Sequence, residues 1–172
     1  MTSSVRPSMR TAWLLGFLAC AGLIAYALYV QYYQYISPCP LCILQRIAFI
    51  GMGVVFLIGG LHAPRSAWRR VYAALLALFA AGGIGVAVRQ LWLQSLPADQ
   101  VPSCGPGLGY MLDTFPLAQT LKMVLSGSGE CAEVHWRFLG LAMPAWSLIS
   151  LLVLGIWALW TARRPRRPRL FR

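Results

Sequence analysis

A chain of 172 residues is long enough for about one domain. Apolar residues make up 59% of it and charged residues 11%, against roughly 25% charged in soluble globular chains. Mean hydropathy is +0.64. A soluble fold could not cover its surface with so few charges, and so apolar a chain is not intrinsically disordered. The formal charge of +11, carried by 14 arginines and one lysine against four carboxylates, is therefore read by position and not as a nucleic-acid footprint.

A bilayer core about 30 Å thick takes about 20 residues of helix. After Arg6 and Arg10, the first predicted span covers 11–30 without a charge. Tyr32, Tyr33 and Tyr35 follow it, as aromatic residues do at headgroup depth. The connection 31–42 ends in Cys39-Pro40-Leu41-Cys42. The second span, 43–61, holds one charge, Arg46, about one turn inside its start. His62 marks the far border, and segment 62–70 carries Arg65, Arg69 and Arg70. The third span, 71–88, is uncharged and contains Gly82, Gly83 and Gly85. With Gly51 and Gly53 of the second span, these suit close helix approach.

Segment 89–144 is punctuated by Pro97, Pro102, Gly105, Pro106, Gly107, Gly109 and the run Ser126–Gly129. Within it, Phe115–Leu125 reads as a short amphipathic helix. Such a helix either lies on the membrane surface or packs with its neighbours as a small hairpin over the bundle. The segment holds too little apolar surface for a core of its own. The fourth span, 145–162, is dense in Leu, Ile and Trp, and six arginines close the chain. Trp136 and Trp146 bracket the start of that span, while Trp13, Trp68 and Trp160 are placed at the other border. No segment alternates with period 2, which argues against a membrane β-barrel. The fold class is an all-α membrane protein, a four-transmembrane-helix bundle with one long loop and a single domain, 1–172.

If all four helices span, segments 1–10, 62–70 and 163–172 share one side and carry eleven basic residues and no carboxylate. The loops 31–42 and 89–144 share the other side, with all four acids, Asp99, Asp113, Glu130 and Glu133. The positive-inside rule then places both termini in the cytoplasm. The arginine-rich tail reads as a topology anchor with no nucleic-acid partner. Arg6, Arg10 and Ala25-Tyr26-Ala27 also suit a cleaved secretory signal, but the apolar run continues to Val30 and weighs against cleavage.

The cysteines carry the chemistry. Two intervening residues let Cys39 and Cys42 close a disulfide, and a sulfur at a helix N-terminus is activated as a thiolate. A CxxC pair alone leaves three readings open: structural disulfide, zinc half-site or redox pair. Cys104 and Cys131 form a second possible pair on the same side, where disulfides persist. A four-cysteine zinc site is disfavoured by the 26 residues between Cys104 and Cys131 and by the oxidising side. His135 reads as a solvated loop histidine and Cys20 as a small packing residue. Arg46, four residues after Cys42, shares its helix face. A charge so close to an apolar span marks a functional candidate. It either snorkels to the interface or holds a thiolate or a bound oxygen by charge-assisted hydrogen bonds.

Four spans, the run Cys39-Pro40-Leu41-Cys42-Ile43-Leu44-Gln45-Arg46, Cys104, Gly129-Glu130-Cys131-Ala132-Glu133 and the stretch Trp136–Trp146 together resemble the disulfide bond formation protein B (DsbB) family over nearly the whole chain. The resemblance implies a thiol oxidase of the bacterial inner membrane, with its redox cysteines in the periplasm. It would reoxidise a thioredoxin-like DsbA-type dithiol protein and pass two electrons to a quinone, ubiquinone or menaquinone. The resting protein would hold Cys39–Cys42 and Cys104–Cys131 disulfides. Cys104 would receive the partner's thiolate, Cys131 would attack Cys39, and Cys42 would become the thiolate facing quinone, with Arg46 stabilising it and polarising the quinone. Gln45 stands where other members can carry an acid, and Arg89-Gln90 near where some carry a His, leaving open which of the latter two meets the quinone. Quinone is lipid-soluble, and Cys42 and Arg46 lie at the hydrocarbon border where its site belongs. Two other readings stand beside this one. A vitamin K epoxide reductase-like quinone reductase would carry its CxxC late in the bundle. A non-enzymatic tetraspan protein would use its disulfides as staples.

Overall fold

The computed structural model describes all residues except 1–8, 36, 63–65, 98, 104–107, 135 and 164–172. Arg6, Arg65, Cys104, His135 and the tail arginines beyond Arg163 thus lie outside the described residues.

Four helices are long and apolar enough to cross a membrane: α1 (Met9–Tyr33), α2 (Pro40–His62), α3 (Ser66–Gln94) and, last in the chain, α7 (Met143–Arg163). They correspond to the four predicted spans, and the chain is a multi-pass helical membrane protein. Every helix outruns its predicted span. Backbone hydrogen bonding continues past the point where side chains turn polar, so charge marks the membrane border and not the helix end. The 29 residues of α3 reach about 44 Å at 1.5 Å per residue, well beyond the hydrocarbon. Its two ends carry Arg69 and Arg70 at one border and Arg89, Gln90 and Gln94 at the other.

The helices pack in the order α1–α2–α3–α7, and α1 and α7 close the ring with a much smaller contact. The core between them contains Trp13, Phe49, Met52, Phe56, Leu76, Leu151 and Leu154. Outward-facing Leu18, Leu78, Val153 and Ile156 are exposed, as lipid-facing side chains must be. Two glycine contacts decide the spacing. A Cβ on Gly51 would meet the Phe79 ring, and one on Gly83 would meet Leu151 and Ala48. Gly82 and Gly85, expected to do the same, face open space.

Trp13 departs from its predicted border position. It is 1% exposed, set edge-on against Phe56 and Tyr72. Gly59 of α2 leaves the room that its indole fills, and Gly60 lies against Leu14 and the Trp13 Cβ. Cys20 is buried near Gly53, as a packing residue should be.

The long connection between α3 and α7 folds over the end of the bundle that carries Cys39. It forms α4 (Leu108–Thr114), α5 (Leu117–Ser126), the single turn α6 (Gly129–Ala132) and a hairpin, β1 (Arg137–Phe138) with β2 (Leu141–Ala142). Leu139 (φ 51°) and Gly140 (φ 81°) make the tight turn, both with the positive φ that a two-residue hairpin loop requires. The amphipathic helix predicted at 115–125 is α5. Its Thr120 and Val124 are buried, whereas Leu117, Leu121 and Leu125 are exposed. Both readings of this stretch therefore hold in part, since one side packs on the cap and the other presents leucines outward. Met111, Val124 and Cys131 join Leu41 and Leu93 in a second apolar cluster.

Candidate active site

Helix α2 begins at Pro40, which suits a first helical position because its missing N–H has no partner there anyway. Cys39 is thereby the capping residue. Its carbonyl accepts the Ile43 N–H at 3.1 Å, and its sulfur accepts the Cys42 N–H at 3.4 Å, as a Ser or Asp oxygen does at other helix starts. The Cys39 and Cys42 sulfurs are 2.8 Å apart. Both are free thiols, as are Cys131 and Cys20, so the arrangement is that of a reduced site.

Cys131, on the single turn α6, packs into the same cluster. Its sulfur receives the Leu41 backbone N–H, another donor of the α2 start, and lies 3.7 Å from the Ser128 hydroxyl. The thiol of Cys39 donates to Cys131 and lowers the Cys131 pKa to about 6, with the Leu41 and Ser128 N–H groups acting in the same direction against burial. The same contact with Cys131, then that with Cys42, then burial, pushes Cys39 up. Cys131 is thus poised as the thiolate and Cys39 as the protonated partner. Three of the four predicted site cysteines come together at one helix start. Cys104 lies outside the described residues, but Gly129 N–H donates to the carbonyl of its neighbour Ser103 at 3.4 Å, next to α6.

Beside the sulfurs is a cavity of about 710 Å³ between α1, α2 and α7. Cys39, Cys42, Arg46 and Gln90 line it together with Leu23, Ile24, Val30, Phe49 and Trp146. Glu130, Glu133 and Gln94 also contribute to its wall. Arg46 occupies the cavity wall, and its hydrogen bonds run to α1. The guanidinium donates to Gln31 Oε1 and, at 3.2 Å, to the carbonyl of Ala27. The side chain that reaches the sulfurs is Gln90, with Nε2 at 3.3 Å from Cys42 Sγ and 3.4 Å from Cys39 Sγ. Sequence reasoning noted Gln90 only as a departure from a pattern. The available signal was a pair of amides, Gln45 and Gln90, at the same depth in two apolar helices, where each needs a partner.

Arg89 turns the other way. It donates to the carbonyls of Leu125 and Ser126 at 3.2 and 2.9 Å and lies 4.2 Å over the Trp92 ring. A cation on the last carbonyls of α5 complements that helix end and straps the cap to α3. No cluster of three or more metal-binding side chains occurs among the described residues.

A membrane helix bundle that gathers cysteine sulfurs at one helix start, under a folded cap, belongs to the class of membrane thiol–disulfide proteins. A family model described as "Disulfide bond formation protein DsbB" matches residues 9–161, and the chain belongs to that family of disulfide-forming oxidoreductases. It is 53% identical over 152 residues to disulfide bond formation protein B of Nitrosococcus oceani, covering 88% of this chain and 90% of the relative. The protein of the same name from Hahella chejuensis is 54% identical over 150 residues, at 87% and 91% coverage. That of Xanthomonas axonopodis pv. citri is 49% identical over 154 residues, at 89% and 90%.

Proposed function

We propose that this protein is a thiol oxidase of the bacterial inner membrane that reoxidises a periplasmic DsbA-type dithiol protein and delivers the electrons to a membrane quinone. The observation that carries this reading is the packing of Cys131 against Cys39 at the start of α2, beside a cavity that Cys42 also lines. Both termini are cytoplasmic in this reading, because the eleven basic residues of the three inner segments face no acid.

In the resting protein Cys39–Cys42 and Cys104–Cys131 are disulfides. A partner thiolate attacks Cys104, forming a mixed disulfide and expelling Cys131 as a thiolate. The partner's second thiol then attacks its own mixed-disulfide sulfur, leaves with a disulfide, and releases Cys104 as a thiol. Cys131 attacks Cys39, forms a bond with it, and expels Cys42 as a thiolate. Cys104 attacks Cys131, restoring the loop disulfide and freeing Cys39. The net change is one new disulfide in the partner and one reduced Cys39–Cys42 pair, which holds two electrons and two protons. Each attack needs a thiolate in line with the bond it breaks, and the Leu41 and Cys42 N–H groups at the helix start favour negative sulfur there.

The cavity fits a quinone ring. Its walls from α1, α2 and α7 are largely apolar, and its polar side chains include Arg46 and Gln90 beside Cys42. The contact between α1 and α7, which both wall the cavity, is the smallest between neighbouring helices of the ring, and a molecule from the lipid would enter there. Arg46 and Cys42 would hold the ring, and a bound quinone supplies an acceptor for two electrons and two protons. The test is oxidation of a reduced DsbA-type protein by the purified protein with and without quinone. Catalytic turnover that depends on quinone and on all four cysteines is expected. Four inert sulfurs and no quinone dependence would make the disulfides structural staples.

A further inference from the structure

Two glutamines are buried between α2 and α3 beside the sulfurs. Gln45 of α2 is 4% exposed and Gln90 of α3 is 3% exposed. A buried amide must place both of its ends, since an unpaired donor or acceptor there is costly. Gln90 places them on two different elements. Its Oε1 accepts Gln45 Nε2 at 2.9 Å and, in a longer contact, the Cys42 thiol at 3.7 Å. Its Nε2 faces Cys42 Sγ at 3.3 Å and Cys39 Sγ at 3.4 Å. An amide fits its site almost equally well when turned over, so shape alone does not choose which end meets the sulfurs. In the arrangement present, the group opposite is the Gln45 NH₂, which donates to Gln90 Oε1.

We propose that Gln45 is a positioning residue for the thiol chemistry, holding the Gln90 carbonyl so that the Gln90 NH₂ faces Cys39 and Cys42. This rests on reading Cys39–Cys42 as the redox pair. When Cys39 is attacked, the electron pair of the breaking bond goes to Cys42, which leaves as a thiolate. A disulfide sulfur is a poor hydrogen-bond acceptor and a thiolate a good one. The Gln90 N–H bond is therefore much stronger after the bond breaks than before. It stabilises the leaving group and the reduced pair, which makes the pair the better oxidant. Turned over, the same amide would set its oxygen against the developing charge and oppose it. Gln45 never touches the sulfurs; it acts through Gln90.

The experiment is a double-mutant cycle of Gln45→Met and Gln90→Met, near-isosteric changes without hydrogen-bonding ends. Two quantities are read. One is the equilibrium of Cys39–Cys42 with dithiothreitol buffers. The other is the alkylation rate of Cys42 at fixed pH in a Cys39→Ala background, followed by peptide mass. Hydrogen bonds to charged groups imply a fall of about tenfold or more in both for Gln90→Met. Gln45→Met is expected to fall in the same direction, and the double variant to be no worse than Gln90→Met alone, because Gln45 has no other route to the sulfurs. If Gln45→Met leaves both quantities at wild-type values, or if the two effects add, the positioning role is overturned. Should Gln45→Met not fold, Gln45→Asn shortens the reach by one methylene and carries the same comparison. A wild-type pair that does not equilibrate with dithiothreitol would instead sink the redox reading itself.

Discussion

Arg46 has two jobs in this reading, and Arg46→Gln separates them. The first is mechanical. The guanidinium spans from α2 to α1, donating to Gln31 Oε1 and to the Ala27 carbonyl. Glutamine is shorter and cannot fork, so both bonds are lost. Charge-assisted bonds contribute about 1.5–3 kcal/mol each when well buried. This side chain is only part-buried, and the Ala27 carbonyl belongs to a helix that continues six residues on, to Tyr33, so it can keep an intrahelical partner four residues later. A loss of about 1–2 kcal/mol in stability is the expected sum. The second job is at the cavity. One charge-assisted bond to a quinone oxygen, at about 1.5–3 kcal/mol, corresponds to a rise of roughly 10- to 150-fold in apparent quinone KM. Steady-state oxidation of a reduced DsbA-type protein across a quinone titration measures it. Reduction of Cys39–Cys42 by a small dithiol serves as the control and should change little. Arg46→Lys keeps the charge but not the fork and should fall between. A variant that melts earlier yet keeps its quinone KM would make Arg46 a strap between α1 and α2 and would place the quinone elsewhere.

Cys104→Ser should abolish turnover with a protein partner while leaving quinone reduction by a small dithiol largely intact; equal loss with both donors would refute the relay order. Reporter fusions after Ala63 and after Arg172 should both report cytoplasm, and a periplasmic signal at either would overturn the orientation. In the fully reduced protein, alkylation of Cys131 should be near its plateau by about pH 7 and fall as pH drops through about 6, where its thiolate is protonated; an ordinary profile, half-maximal near 8.5, would show that Cys39 does not hold that thiolate. Gly59→Ala should lower Tm, because a Cβ there meets the buried Trp13 ring and overpacking costs about 1–3 kcal/mol. Gly82→Ala, with open space around it, should be neutral or stabilising by up to about 1 kcal/mol.

The four spans were legible because burial in lipid imposes a long apolar run on each helix separately. What was not legible depends on which helix meets which. Trp13 reads as a border residue until Gly59 and Gly60, 46 and 47 positions later, are set against it. Arg89 and Gln90 are neighbours in sequence and diverge in space, one strapping α5 and one facing the sulfurs. Helical rotation of about 100° per residue separates them, but its phase is fixed only by the packing of α3 on α2. Glycine spacing suggested close approach at five positions, and only those turned toward a neighbour provide it. The CxxC pair was legible as the entry to the second span, predicted from 43, but not that the helix opens at Pro40. The identity of Cys39 as the cap, with its sulfur in the role of a capping oxygen, needed the coordinates.

Access, more than reactivity, orders the proposed relay. Cys131 is 1% exposed, packed beside Cys39 under α4 and α5. A soluble protein's dithiol cannot reach it there without dismantling the cap. Arg89 ties that cap to α3 through the last carbonyls of α5, which keeps Cys131 at the α2 start. Ser103 is different: it is exposed, beside an open groove that also involves Val101 and Pro102, and its carbonyl is tied to Gly129, two residues before Cys131. The described residue before Cys104 is thus accessible, whereas Cys131 is buried. In the proposed relay the partner would attack Cys104, and the sulfur released, Cys131, is the one packed beside Cys39.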